Sequence, residues 1–135
     1  MLLNIPYADT WYIPGGDNYM TRLIRDAGGE VLGAVPQRQE SSIISVEKAY
    51  SYSREAGFWI NTGWCNTRGQ LLEANRLFSE FNIPHVWNNT LQTTPGGGNM
   101  FWETGPVRPD LVLEDIIAII DCTEADSLNY YLRVN

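Results

Sequence analysis

Few residues in this chain are equipped for chemistry, and most of them are uncharged. There is one histidine, His85, and the two cysteines, Cys65 and Cys122, form no CxxC pair, so neither a zinc knuckle nor a thioredoxin-like redox site is signalled. No GxSxG elbow and no HExxH helix is present. Glu103 and Asp110 are the two carboxylates that a small glycan- or peptide-acting hydrolase would use as acid and base. The run Gly96-Gly97-Gly98 has no adjacent lysine and follows the wrong element for a P-loop; its expected use is close approach of backbone to neighbouring structure or to a ligand. The most distinctive supply is aromatic. Of Trp11, Tyr12, Trp64, Trp87 and Trp102 several fall beside turns, and such side chains offer a rigid stacking surface with little entropy to lose, suited to a flat macrocycle or a catecholate-type chelate. Core packing is the competing use, and Trp59, within a strand-like apolar run, is expected to serve it.

The bulk properties narrow the partners. At 135 residues the chain is long enough for one domain, and 44% hydrophobic and 19% charged residues are ordinary for a globular protein. A net charge of -7 with nine lysines and arginines would repel a phosphate backbone, which argues against nucleic acid. The apolar stretch Ile116 to Ile120 is bounded by Glu114, Asp115 and Asp121, far short of the ~20 apolar residues a membrane span needs. The first residues lack the basic segment and apolar run of a signal peptide. The cysteines are read as inert buried thiols, with a disulfide between them as the alternative.

The elements that must position these residues alternate between short apolar runs and helical spacing, the sign of an α/β domain. Met1 to Ile5 is a first strand candidate. After the Pro14-Gly15-Gly16 turn, Asp17 is placed to cap a helix burying Met20, Leu23, Ile24 and Ala27, which Gly28 and Gly29 stop. Val31 to Leu32 is a short strand candidate, and residues 34 to 43 read as a loop. Ser45 caps a second helix that buries Val46, Ala49 and Tyr50 and ends near Gly57. Phe58 to Asn61 suits a central strand covered on both faces. Thr67 and Gln70 form a capping box for a third helix burying Leu71, Ala74, Phe78 and Phe81. Pro84 to Trp87 is a further strand, and Asn88 to Met100 a long connection. Pro109 fits the first turn of a last helix whose apolar face is Leu113, Ile116, Ile117 and Ile120, and Asn129 to Val134 is an edge-strand candidate.

Five ordered stretches resemble the C-terminal lobe of class III substrate-binding proteins of ABC importers, the ferric-siderophore, haem and cobalamin type. They are Trp11 to Asp17 running into the "DAGG" of Asp26 to Gly29; Ile44-Ser45-Val46-Glu47; Phe58-Trp59-Ile60-Asn61; Asn99 to Gly105; and Arg108-Pro109-Asp110-Leu111-Val112-Leu113-Glu114-Asp115-Ile116, similar to "RPDLVLxDLI". The resemblance implies a single α/β domain over residues 1–135, a three-layer sandwich with a mainly parallel central sheet, forming the second lobe of the helical-backbone metal-receptor fold.

It also implies a first lobe and a lipoprotein or secretory signal ahead of this region, and a periplasmic or membrane-anchored bacterial location on the outer side of the inner membrane. The implied activity is binding rather than catalysis: half of a cleft for a metal chelate, with no intrinsic cofactor and no protein metal ligand, and with an ABC-transporter permease as partner. Loops beyond strand ends collect ligands in α/β sheets. The expected ligand-facing residues are therefore Trp11, Tyr12, Trp64, Gly97, Gly98, Trp102 and Glu103. Glu47 has the motif position of the family's exposed glutamate that salt-bridges an arginine of the permease; it also suits a helix N-terminus, a placement worth roughly 0.3–1 kcal/mol. Glu103 and Arg108 are expected to form an ion pair across Pro106, and His85 to be a packed side chain. The hydrolase and an acidic module that docks a protein remain the alternatives.

Overall fold

Short apolar runs become strands here and the longer periodic ones become helices. The computed structural model describes the whole chain, residues 1–135. In order, the elements are β1 (Leu2–Leu3), β2 (Trp11–Ile13), α1 (Tyr19–Asp26), β3 (Ser42–Ile44), α2 (Val46–Ser53), β4 (Phe58–Ile60), α3 (Arg68–Ala74), β5 (His85–Asn88), α4 (Met100–Glu103), α5 (Pro109–Ile120) and β6 (Leu132–Arg133). A 3-10 turn, Arg76–Glu80, follows α3, and another, Gly105–Val107, precedes α5.

The main sheet has the order β1-β4-β5-β6. Leu2 pairs with Trp59 and Trp59 with Val86 in parallel ladders, while β6 runs antiparallel to β5 at the edge, with Trp87 opposite Arg133. The sheet is thus mixed and mostly parallel, and the chain is an α/β protein. Phe58-Trp59-Ile60 occupies the expected central place. A separate antiparallel pair joins β2 to β3, with Tyr12 opposite Ile43.

An aromatic cluster ties the two sheets together. Trp11 of β2 stacks on Trp59 of β4 at 6.2 Å, and Phe78 meets both rings edge-on, at 5.9 Å and 5.2 Å. Each such pair adds about 0.5–1.5 kcal/mol beyond the area it buries. The indole N–H groups are satisfied as well: Trp11 donates to the Leu3 carbonyl and Trp59 to that of Asn4, both at 2.8 Å.

Caps follow the sequence closely, with local shifts. Ser45 Oγ accepts the Lys48 N–H at 3.0 Å and Thr67 Oγ1 that of Gln70 at 3.1 Å. Gln70 reaches back past Thr67 to the N–H of Asn66, so the box closes one residue earlier than expected. Asn18, not Asp17, caps α1 through the Met20 N–H, and the Asp17 N–H is bound to the Arg38 carbonyl. Gly15 explains the contact: a Cβ there would lie 2.1 Å from that same carbonyl oxygen, so only glycine lets the 36–40 loop close on this turn.

Several expectations are corrected. Val31 to Leu32 is not a strand, and β3 begins at Ser42 inside the expected loop, where it finds β2 as a partner. Ala74 is exposed, and Phe78 and Phe81 are buried from the 3-10 turn and its end rather than from α3. In α5 the buried positions are Val112, Asp115, Ile116 and Ile119, with Ile117 exposed. The helix is rotated from its most apolar face because the Asp115 carboxylate takes the backbone N–H groups of Asn129, Tyr130 and Tyr131, at 2.9, 2.7 and 3.2 Å, and so fastens the tail that supplies β6. No helix is long and apolar enough to cross a membrane.

Candidate functional site

The parallel strands β1, β4 and β5 each end in asparagine or are followed by one. Leu3 is followed by Asn4, Ile60 by Asn61, and Asn88, the last residue of β5, by Asn89. Asn4 and Asn61 have left-handed backbone, with φ of 71° and 62°, a conformation asparagine tolerates better than most residues. The chain therefore turns sharply away after β1 and β4, and a crevice lies at these strand ends, the usual place for ligands in open α/β sheets.

The crevice contains two recesses that share Asn4, Asn61 and Trp102. The larger, about 410 Å³, is bordered by Tyr7, Tyr12, Trp64 and Trp102, with Asn61 and Asn89 deeper down. The smaller, about 220 Å³, runs between Tyr19, Met20, Phe101, Trp102 and Val112. No charged side chain lines either recess. That neutrality matters, because a buried ion needs a partner of opposite sign or full hydrogen bonding to offset lost hydration.

The rim is aromatic and open to solvent. Trp102 is 66% exposed, Trp64 54% and Tyr12 44%. Trp102 projects from the short helix α4, which Asn99 caps through the Phe101 N–H, and its ring is braced edge-on by the buried Phe101 at 4.8 Å. Trp64 follows Gly63, whose φ of +60° makes the turn after β4. That turn is fastened to β5: the Asn88 side-chain amide donates to the carbonyls of Gly63 and Cys65 and to Asn66 Oδ1.

The expected ligand-facing residues divide cleanly. Tyr12, Trp64 and Trp102 are brought together at the larger recess. Trp11 is not among them: it is 1% exposed and belongs to the core, because side chains alternate along a strand and only one of Trp11 and Tyr12 can face out. Trp87 is likewise buried in β5. Gly97, Gly98 and Glu103 line neither recess. Gly97 serves its own loop with φ of +89°, and the Gly98 N–H binds Thr94 Oγ1. Arg108 does not pair with Glu103; it clamps Asp110 through Nε and Nη2 at 3.1 and 2.9 Å, which holds that carboxyl below its ordinary range. Neither Glu103 nor Asp110 lines a recess where it could act on a substrate.

Glu47 is exposed on the first turn of α2 and makes no ion pair within the chain. His85 stacks on Phe58 at 5.2 Å, and its Nε2 lies 3.7 Å from the sulfur of Cys122. The cysteines are both free. Cys65 is buried as expected, whereas Cys122 is exposed just past the end of α5. No group of three or more histidine, cysteine, aspartate or glutamate side chains gathers in the fold.

Asn61, Asn89 and Tyr19 are site residues the sequence reading missed. The available signal was the repeated ending of apolar strands in asparagine, in Leu3-Asn4, Ile60-Asn61 and Trp87-Asn88-Asn89. No family model, no curated protein and no solved structure matches this chain.

Proposed function

We infer that this chain is a solute-binding lobe of a bacterial ABC importer, contributing half of the cleft for a metal chelate and one docking surface for the permease. The observation that carries this reading is the open rim of Tyr12, Trp64 and Trp102 over a recess at the ends of the parallel strands. Exposed aromatic groups of this size are costly to leave in water unless a flat partner covers them, and their convergence around one opening favours a single broad ligand. A metal held inside an organic chelator needs no protein ligand. The rim alone is shallow, which suits a ligand gripped from both sides by two lobes of the helical-backbone metal-receptor fold. In this reading Glu47 meets an arginine of the permease, and the protein works on the outer side of the inner membrane.

The test is titration of the chain with haem, cobalamin and several ferric siderophores, followed by tryptophan fluorescence. Saturable quenching by one of them supports the assignment. Indifference to all of them, together with turnover of a glycan or peptide, would move the protein to the hydrolase class.

A further inference from the structure

Two amides in the larger recess keep hydrogen-bonding groups without a protein partner. Asn61 is 8% exposed and Asn89 4%, and the amide nitrogen of Asn61 and the whole side-chain amide of Asn89 make no hydrogen bond within the protein. Neither side chain is sealed off from the recess it lines, since Thr21 Oγ1 is the only fully enclosed side-chain polar atom left unpaired. Because these groups make no bond within the protein and open onto the recess, they are free to hydrogen-bond a molecule that enters it.

The direction of the Asn61 amide is fixed from behind. Its Oδ1 accepts the hydroxyl of Tyr131 at 2.8 Å, and Tyr131 is completely buried with no other hydroxyl partner. Were the amide turned round, the phenol would accept and its own proton would be stranded in the core, at a cost of about 1–3 kcal/mol. The oxygen therefore stays on Tyr131 and the NH₂ group is presented to the recess.

We propose that Asn61 and Asn89 form a neutral hydrogen-bonding site that selects a ligand bearing uncharged oxygen acceptors, carboxamides or hydroxyls, along the edge inserted beneath Trp64 and Trp102. This rests on the ligand-holding reading above and chooses among its chelates. An anionic edge would enter a recess without a cation, in a chain of net charge -7, and lose its hydration uncompensated. A carboxamide edge gives up less hydration and recovers it from the two asparagines.

The experiment uses three probes on the 135-residue chain: cyanocobalamin, whose ring edge carries neutral carboxamides; its monocarboxylate derivatives, in which one carboxamide is replaced by a carboxylate; and a tris-catecholate ferric complex. Two variants accompany them. Asn61→Asp keeps an acceptor for Tyr131 and tolerates the same backbone while setting a negative oxygen where the NH₂ stood. Asn89→Ala removes a side chain that makes no internal hydrogen bond, and urea denaturation of the variant checks that the fold is retained.

Tightest binding of cyanocobalamin is expected, with a loss of about three- to tenfold in Asn89→Ala, the worth of one neutral hydrogen bond, and a larger loss in Asn61→Asp. The Asn61 side-chain amide resonance should shift on binding. Cyanocobalamin binding that neither variant disturbs, or tighter binding of the tris-catecholate, would overturn the amide site while leaving the chelate reading standing. Absence of binding by every probe at millimolar concentration would overturn both.

Discussion

Oδ2 of Asp115 accepts the backbone N–H of Tyr130 at 2.7 Å, so a carboxylate on helix α5 holds the tail strand that closes the sheet. The same carboxyl group serves Asn129 and Tyr131, and removing it orphans three donors at once, two of them buried. Asp115→Ala should lower the unfolding free energy by about 3 kcal/mol or more, given about 1–3 kcal/mol for each donor fully deprived of water and partner. Urea denaturation measures it, and Asp115→Asn, which keeps one acceptor, should fall between.

Burial raises the Asp115 carboxyl above its ordinary value of 3.8, outweighing the three backbone N–H groups and the Asn129 side chain that favour the charged form. A folded-state pKa above the unfolded one means that this group's contribution is complete below the ordinary carboxylate pKa and is lost as pH rises through the raised value. The stability gap between the wild type and Asp115→Asn should therefore narrow from about pH 4 upward and then level. A gap that widens over that range would show the hydrogen bonds winning over burial.

The two thiols should differ sharply in reactivity. Cys65 is buried and its thiol is pushed up to about 11 by loss of hydration and by Glu73, whereas Cys122 is exposed. At pH 8 an aromatic disulfide reagent should modify one thiol per native molecule rapidly and the second only on unfolding, since the thiolate is the reacting form.

Trp102→Ala should separate binding from folding. The ring lies mostly in solvent, so stability should change by no more than about 0.5 kcal/mol, the ordinary range for surface substitutions, while chelate affinity falls at least fivefold, as expected of an aromatic anchor worth more than about 1 kcal/mol. Glu47→Ala is the complementary case. Transport should fail with ligand affinity intact, and a loss of affinity with normal docking would contradict the role given to Glu47.

Gly15→Ala tests the glycine turn that positions β2. A methyl group 2.1 Å from the Arg38 carbonyl oxygen cannot be accommodated without moving the 36–40 loop. A loss of about 1–3 kcal/mol, the usual cost of overpacking, is expected in thermal or urea unfolding.

What the sequence made legible was local and periodic. Ser45, Thr67 and Pro109 announced three helix starts because capping and the missing proline N–H act over three or four residues. Phe58-Trp59-Ile60 announced a central strand through its unbroken apolar run. The errors arose where a distant segment decided the outcome. Helix α5 turned a different face inward because Asp115 found its partners fourteen to sixteen residues later, and Ser42 entered a strand because Tyr12 and its neighbours were waiting across the loop. At the site, Tyr12, Trp64 and Trp102 were legible as aromatic groups beside turns. Trp11 lies beside the same turn as Tyr12, but within β2 strand alternation directs it into the core. Asn61 was overlooked because nothing in Trp59-Ile60-Asn61 reveals that Tyr131, seventy residues away, fixes its amide.

The most direct measurement of the central claim is the indole region of a proton-nitrogen correlation spectrum, recorded as cobalamin, haem or a ferric siderophore is added. The chain has five indole N–H groups, and those of Trp11 and Trp59 are bound to backbone carbonyls in the core. Binding at the strand-end rim should shift or broaden the signals of Trp64 and Trp102 and leave those of Trp11, Trp59 and Trp87 in place. Perturbation confined to the other three, or five signals unmoved by every chelate, would contradict the account.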